Sequence, residues 1–188
     1  MISSDKEQFV FALAPQIQVM GWPVDVLTIV AQAGVESRWG QSQLAVQANN
    51  LFGMKAGSSW KGATITFPTT EYSGGKKITV NAKFRSYGSY GECVDDFLKV
   101  ISRYYPEAFE VLTHGGGQVY YIKLVSGPRK YATDPRYADT LNAVYGDLIM
   151  EYGSTAFPPS QGGMPTVVKV ICGVAVLGAA YGLYKHFN

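Results

Sequence analysis

Between residues 63 and 87 the chain abandons a helical repeat for a repeat of two. Ile65, Phe67, Thr69 and Glu71 share one parity, Ser73-Gly74-Gly75 reads as a turn, and Ile78, Val80, Ala82 and Phe84 follow. Successive side chains on a strand point to opposite faces, so two such runs around a glycine turn predict a β-hairpin. Pro68 has no N–H to give to a further ladder, which places its strand at an edge. Everything assigned on either side of this interval carries helical spacing, so the chain can build a helical body and one small sheet.

The helices are delimited by their own signals. Ser4-x-x-Glu7 is a capping box before an apolar-periodic run to Met20, in which Pro15 is expected to kink or end the helix. Gly21-Trp22-Pro23 punctuates before a second helix, the apolar stretch from Val26 to Val35, which ends on Glu36. After the hairpin, Ser89-x-x-Glu92 opens a helix with Phe97, Leu98, Ile101 and Tyr105 inward until Pro106. A shorter helix runs to Thr113, Gly115-Gly116-Gly117 breaks it, and another short segment reaches Val125. Asp134-Pro135 caps a last helix carrying Tyr137, Leu141, Val144, Tyr145 and Leu148. The fold class is α+β, mainly α. A chain of 188 residues can bury such a core without staples, and Cys93 and Cys172 read as unpaired.

The composition changes after this body. Residues 153–165, rich in Ser, Gly and Pro, read as a linker. Val170 to Tyr184 is fifteen residues without a charge, and extension back through Lys169 to Thr166 gives nineteen, close to the ~20 needed to cross a bilayer. Residues 166–185 are therefore expected to be a C-terminal transmembrane helix, a single-pass anchor with Lys169 snorkelling; the alternative is an amphipathic or core helix. Gly178 and Gly182 form a small-xxx-small pattern that would let two such helices approach. No signal peptide is visible at the N-terminus.

Charge excludes several classes of function. Residues 1–153 hold fourteen Lys or Arg and fourteen Asp or Glu, scattered rather than gathered into the basic stripe that a nucleic-acid partner requires. Thirteen tyrosines and three tryptophans suit sugars better. His114 and His186 are the only histidines and no H-E-x-x-H pattern exists, so no metal is expected, and without a Walker or dinucleotide glycine pattern no cofactor either. His114-Gly115-Gly116-Gly117 resembles an esterase oxyanion segment, but no G-x-S-x-G elbow accompanies it.

Two carboxylates remain. Glu36 falls at the rim of the face shared by Val26, Ile29, Val30, Ala33 and Ser37, and Trp39 three residues on is placed to wall it with an aromatic surface, which favours the neutral, proton-bearing form of a carboxyl. Glu71 lies near the hairpin tip, in water. Such a pair suits glycoside cleavage: one carboxyl protonates the leaving oxygen while the other stabilises, attacks or activates water at the oxocarbenium-like centre. The plain alternative is a helix-end glutamate and a solvated hairpin glutamate.

Gln32-Ala33-Gly34-Val35-Glu36-Ser37-Arg38-Trp39-Gly40, Asn49-Asn50-Leu51-Phe52-Gly53-Met54-Lys55-Ala56 and Trp60-Lys61-Gly62 together resemble the glucosaminidase domain of bacterial cell-wall hydrolases, glycoside hydrolase family 73. Thr69-Thr70-Glu71-Tyr72, Phe84-Arg85-Ser86-Tyr87 and Tyr131-Ala132-Thr133-Asp134-Pro135-Arg136-Tyr137-Ala138 follow in the family's order. The resemblance covers about residues 20 to 152. It implies a lysozyme-like fold over residues 1–152 with a groove between a helical body and a β-lobe, and hydrolysis of the β-1,4 bond on the N-acetylglucosamine side of peptidoglycan. It further implies Glu36 as general acid and Glu71 as the β-lobe acid, base or nucleophile. Tyr131 then helps the oxocarbenium ion or positions the sugar, and Trp39, Asn50, Phe52 and Tyr137 line the groove. Tyr137 could equally be core, and Asn49 a turn residue. The sequence departs from the family's pattern at Gly34, Val35 and Arg38.

The expected partners are peptidoglycan glycan strands and, through the tail, a lipid bilayer. A C-terminal anchor without an export signal would leave the domain on the wrong side of the membrane from peptidoglycan. The expectation is therefore a component of a membrane-containing bacterial virus, in contact with virion membrane or capsid proteins. Other outcomes are a muramidase or lytic transglycosylase on the same fold, or a non-catalytic wall-binding or structural membrane protein.

Overall fold

The computed structural model describes residues 4–73 and 76–156, with the backbone alone for residues 4, 70–73, 76, 77 and 154–156. The order is α1 (Ser4–Val19), α2 (Val26–Ser37), α3 (Gln43–Ala48), β1 (Thr64–Ser73), β2 (Lys76–Arg85), α4 (Tyr90–Tyr104), α5 (Pro106–Thr113), α6 (Gln118–Ser126) and α7 (Tyr137–Ala156). This is a mainly helical α+β body with a two-stranded antiparallel sheet. The expected transmembrane segment, 166–185, and most of the expected linker lie outside the described residues. No helix among the described residues is long and apolar enough to cross a membrane.

Helix α2 forms the axis of the body. Asp25 caps it, its Oδ1 accepting from the Thr28 N–H at 2.9 Å, and every residue from Val26 to Gly34 is buried. A helix that is apolar nearly all round must be enclosed, and α1 and α7 pack against it. Pro15 does not end α1, which continues to Val19. Pro15 itself is exposed. The Ser89 capping box forms as expected: Ser89 Oγ accepts from Glu92 N–H at 3.1 Å, and Glu92 Oε2 accepts from Gly88 N–H at 2.9 Å. Helix α3 was not expected from the sequence; at six residues it shows too little periodicity to register.

The hairpin pairs in one register from Thr64↔Arg85 to Ser73↔Lys76. Ile65, Phe67 and Thr69 stand opposite Phe84, Ala82 and Val80 on the half-buried face, while Thr66, Pro68, Asn81 and Lys83 are exposed. Its base is held to the body. Arg85 N–H donates to Met54 O and Ala56 N–H to Lys83 O, both at 2.9 Å, and the Arg85 guanidinium meets Asp96 Oδ2 of α4 at 2.6 Å. Tyr87 O–H donates to the same carboxylate oxygen at 2.7 Å.

Gly115, Gly116 and Gly117 all have positive φ and carry the chain from α5 to α6 along the start of α2. A Cβ at Gly116 would lie 2.9 Å from Thr28 Oγ1 and 3.0 Å from the Asp25 Cβ, on a residue with φ +54°. Gly116→Ala is therefore expected to lower the unfolding free energy by about 2 kcal/mol, seen as a reduced midpoint in urea denaturation with an unchanged slope.

Candidate active site

Glu36 occupies the last turn of α2, half-buried. Tyr137, the first residue of α7, donates its hydroxyl proton to Glu36 Oε1 at 2.8 Å. Gln32, one turn earlier on α2, donates from Nε2 to the Tyr137 oxygen at 2.9 Å, and its Oε1 accepts from the Tyr120 hydroxyl at 2.9 Å. Thr28, Gln32 and Glu36 stand four residues apart and so form one stripe along the helix. Thr28 is served in the same way. Its carbonyl accepts from Tyr121 O–H at 2.7 Å and its Oγ1 from Gly117 N–H at 2.9 Å. At the head of the stripe Tyr145 O–H donates to Asp25 Oδ2 at 3.0 Å. Burial raises the Asp25 carboxyl above its ordinary range, opposed by these donors.

Tyr131 and Tyr137 are buried side by side, ring centroids 5.7 Å apart, with Tyr131 also edge-on to Phe97 and Tyr105. Burial first, and then the charge of Glu36, push both phenols well above their ordinary range. They stay neutral at any working pH. Tyr137 is consequently a donor to the carboxyl and never a base.

The backbone turns sharply after the acid. Arg38, Trp39 and Gly40 take φ of 54°, 57° and 80°, three left-handed residues in succession, of which the two non-glycines cost about 1–2 kcal/mol each. The turn is secured by Trp39 N–H to Gly34 O at 2.7 Å, Ser37 Oγ to Ala33 O at 2.6 Å and Gly40 N–H to Ser37 Oγ at 2.8 Å. It carries the Trp39 ring back over Gly34, where a Cβ would lie 2.6 Å from Cζ3, and this contact is a physical reason for the glycine at 34. Phe9 meets the ring edge-on at 5.9 Å and Lys6 Nζ lies 5.0 Å from its centre. At about 100° per residue, Gly34 is more than half a turn from Glu36. The aromatic partner at the carboxyl is therefore Tyr137, where the spacing had suggested Trp39. Arg38 is exposed.

Two expected groove residues are placed elsewhere. Phe52 is 1% exposed and stacks on Phe97 at 3.8 Å, so it has no face to offer a sugar. Asn50, also 1% exposed, donates from Nδ2 to Met54 O at 2.9 Å and to Arg85 O at 2.8 Å, and its Oδ1 accepts from Met54 N–H at 2.9 Å. These bonds employ both of its donors and its carbonyl inside the chain. The amide and the ring hold the loop that carries the hairpin base. Asn49, at φ 50°, is the left-handed cap of α3. The backbone of Glu71 pairs with Ile78 and shares the parity of Ile65, Phe67 and Thr69, and its side chain lies outside the described residues.

Tyr120 escaped the sequence reading and Gln32 entered it only within a motif, although the four-residue spacing of Thr28, Gln32 and Glu36 inside an apolar helix was a signal for the latter. Trp60 was read only as part of a motif. It lies edge-on to Tyr87 at 5.8 Å with the Arg85 guanidinium 4.8 Å from its ring centre, joining the hairpin base to an aromatic surface.

The model of the Glucosaminidase family, described as mannosyl-glycoprotein endo-beta-N-acetylglucosaminidase, matches residues 19–149. The chain belongs to this family. Among similar proteins, the chain is 35% identical over 147 residues to the exo-glucosaminidase LytG of Bacillus subtilis, covering 74% of this chain and 50% of LytG. It is 39% identical over 124 residues to the peptidoglycan hydrolase FlgJ of Salmonella typhimurium, covering 64% of this chain and 38% of FlgJ. The chain thus spans half or less of the length of these relatives. The C-terminally truncated glycoside hydrolase domain of Salmonella FlgJ superposes with a TM-score of 0.62 at 34% identity, over 77% of this chain and 98% of that domain.

Because Asn50 is bonded only to backbone groups in the contacts above, Asn50→Ala should act on stability before it acts on substrate. We expect a loss of about 2–4 kcal/mol in urea unfolding, from three broken bonds to buried backbone groups, with KM changed less than twofold at temperatures where the variant remains folded.

Proposed function

We propose that this glucosaminidase hydrolyses the glycan strand of peptidoglycan, at the bond that leaves a reducing N-acetylglucosamine end, with Glu36 as general acid. The observation that carries the reading is the half-buried Glu36 carboxyl with a neutral tyrosine donor at 2.8 Å on one oxygen, at the end of a helix enclosed by apolar side chains. A carboxyl so placed can release a proton to a glycosidic oxygen and be stabilised as the anion that results. Membership of the glucosaminidase family supports the substrate class, as does similarity to the exo-glucosaminidase LytG and the peptidoglycan hydrolase FlgJ. Glu71 is the second carboxylate of the mechanism, in the β-lobe, and Tyr131 and Tyr137 are buried side by side behind the acid.

Digestion of purified peptidoglycan with the full chain, followed by mass spectrometry of the new ends, tests this reading. Reducing N-acetylglucosamine ends are expected, and Glu36→Gln should lower the rate by about 10²–10⁴-fold. N-acetylmuramic or anhydro ends would overturn the choice of bond, and binding without cleavage would overturn the enzyme.

We further propose that residues 166–185 anchor the glucosaminidase in a lipid bilayer as a single pass, and that this bilayer is the membrane of a lipid-containing virus particle. The uncharged run from Val170 to Tyr184 supports the anchor. The full chain should float with phosphatidylglycerol–phosphatidylethanolamine vesicles and resist extraction by alkaline carbonate. Recovery only from a host cytoplasmic membrane, and from no particle, would refute the virion assignment.

A further inference from the structure

With the Gln32 amide oriented as it is in the structure, the hydrogen bonds of Tyr120, Gln32, Tyr137 and Glu36 run in one direction. A side-chain amide oxygen can only accept and its nitrogen can only donate. Gln32 Oε1 therefore takes the Tyr120 proton, and Gln32 Nε2 gives a proton to the Tyr137 oxygen. With its oxygen already engaged as an acceptor, Tyr137 has one proton left to place, and Glu36 Oε1 lies 2.8 Å away. Gln32 is completely buried, so water does not offer it other partners.

We propose that Gln32 is a positioning residue for the acid: anchored by Tyr120, it commits the Tyr137 hydroxyl to Glu36 Oε1 and so fixes the plane of the carboxyl that delivers a proton to substrate. The inference rests on Glu36 being the general acid. In the step it describes, the O–H bond of the Glu36 carboxyl breaks and the proton goes to the glycosidic oxygen. The bond from that oxygen to the anomeric carbon breaks with its electron pair left on the departing sugar. The anomeric carbon takes its new oxygen from water, and a proton of that water restores Glu36. Throughout, Tyr137 holds its proton on Oε1, fixing the carboxyl plane and stabilising the carboxylate. Without Gln32 the phenol is free to turn, and the carboxyl loses a contact that fixes its plane.

A double-mutant cycle on the full chain tests this, using steady-state kinetics on a soluble tetrasaccharide of alternating N-acetylglucosamine and N-acetylmuramic acid. Gln32→Met and Tyr137→Phe should each lower kcat about tenfold, since a misplaced reacting group is costly, with KM within twofold of the parent. The double variant should be no slower than Tyr137→Phe alone, because Gln32 acts only through that phenol. An unchanged kcat in Gln32→Met, or losses that multiply in the double variant, would overturn the proposal. Should Gln32→Met fail to fold, Tyr120→Phe decides, since it leaves Gln32 packed. It should lower kcat about two- to fivefold in the parent and not in the Tyr137→Phe background, and an unchanged kcat in the parent sinks the idea. Activity retained by Glu36→Gln would instead overturn the acid assignment. An inactive Glu36→Gln beside a fully active Gln32→Met would overturn the positioning role alone.

Discussion

A buried helix with polar side chains inside it requires partners, and in this protein tyrosines supply them. Helix α2 is enclosed from Val26 to Gly34, yet it carries Thr28 and Gln32 with no exposure at all. A polar group left unpaired in such surroundings costs about 1–3 kcal/mol, so the positions of α6 and α7 follow from the need to bring Tyr120, Tyr121, Tyr137 and Tyr145 to this one stripe. The phenol suits the task because its ring adds apolar surface while its hydroxyl meets the polar group. Packing of the body and orientation of the acid thus have a single cause.

The same logic separates the two ends of the site. At the helical end every named polar atom is committed and the geometry is fixed by burial. At the hairpin end the strands are held at their base, by Arg85 on Asp96 and by the loop that Asn50 braces, while the outward faces of Thr66, Asn81 and Lys83 meet solvent. The Glu36 carboxyl is set in the body, and the backbone of Glu71 belongs to a hairpin held to that body at its base.

Much of this was legible in the sequence, for reasons particular residues make plain. The hairpin announced itself through a change of period that no helix shares, and Glu36 through the cost of a carboxylate after ten mostly apolar residues. Asn50 and Phe52 misled because motif position does not reveal exposure: a side chain can be indispensable to a groove by holding its wall from behind. Trp39 misled because helical spacing places it near Glu36 only if the helix continues, whereas three left-handed residues turn the chain and lay the ring on Gly34. The role of Gln32 was overlooked because its partners come from helices about ninety and one hundred residues away, which no local pattern encodes.

That separation also bears on when the site becomes complete during synthesis. Tyr137 lies 101 residues after Glu36 and 105 after Gln32. During synthesis the acid emerges early, but the phenol that orients it leaves the ribosome only after hairpin, α4, α5 and α6 have been made, and long-range contacts of this kind form late. A nascent or prematurely ended chain carries the carboxyl without its donor. The layout therefore ties the Glu36–Tyr137 contact to a chain complete through α7.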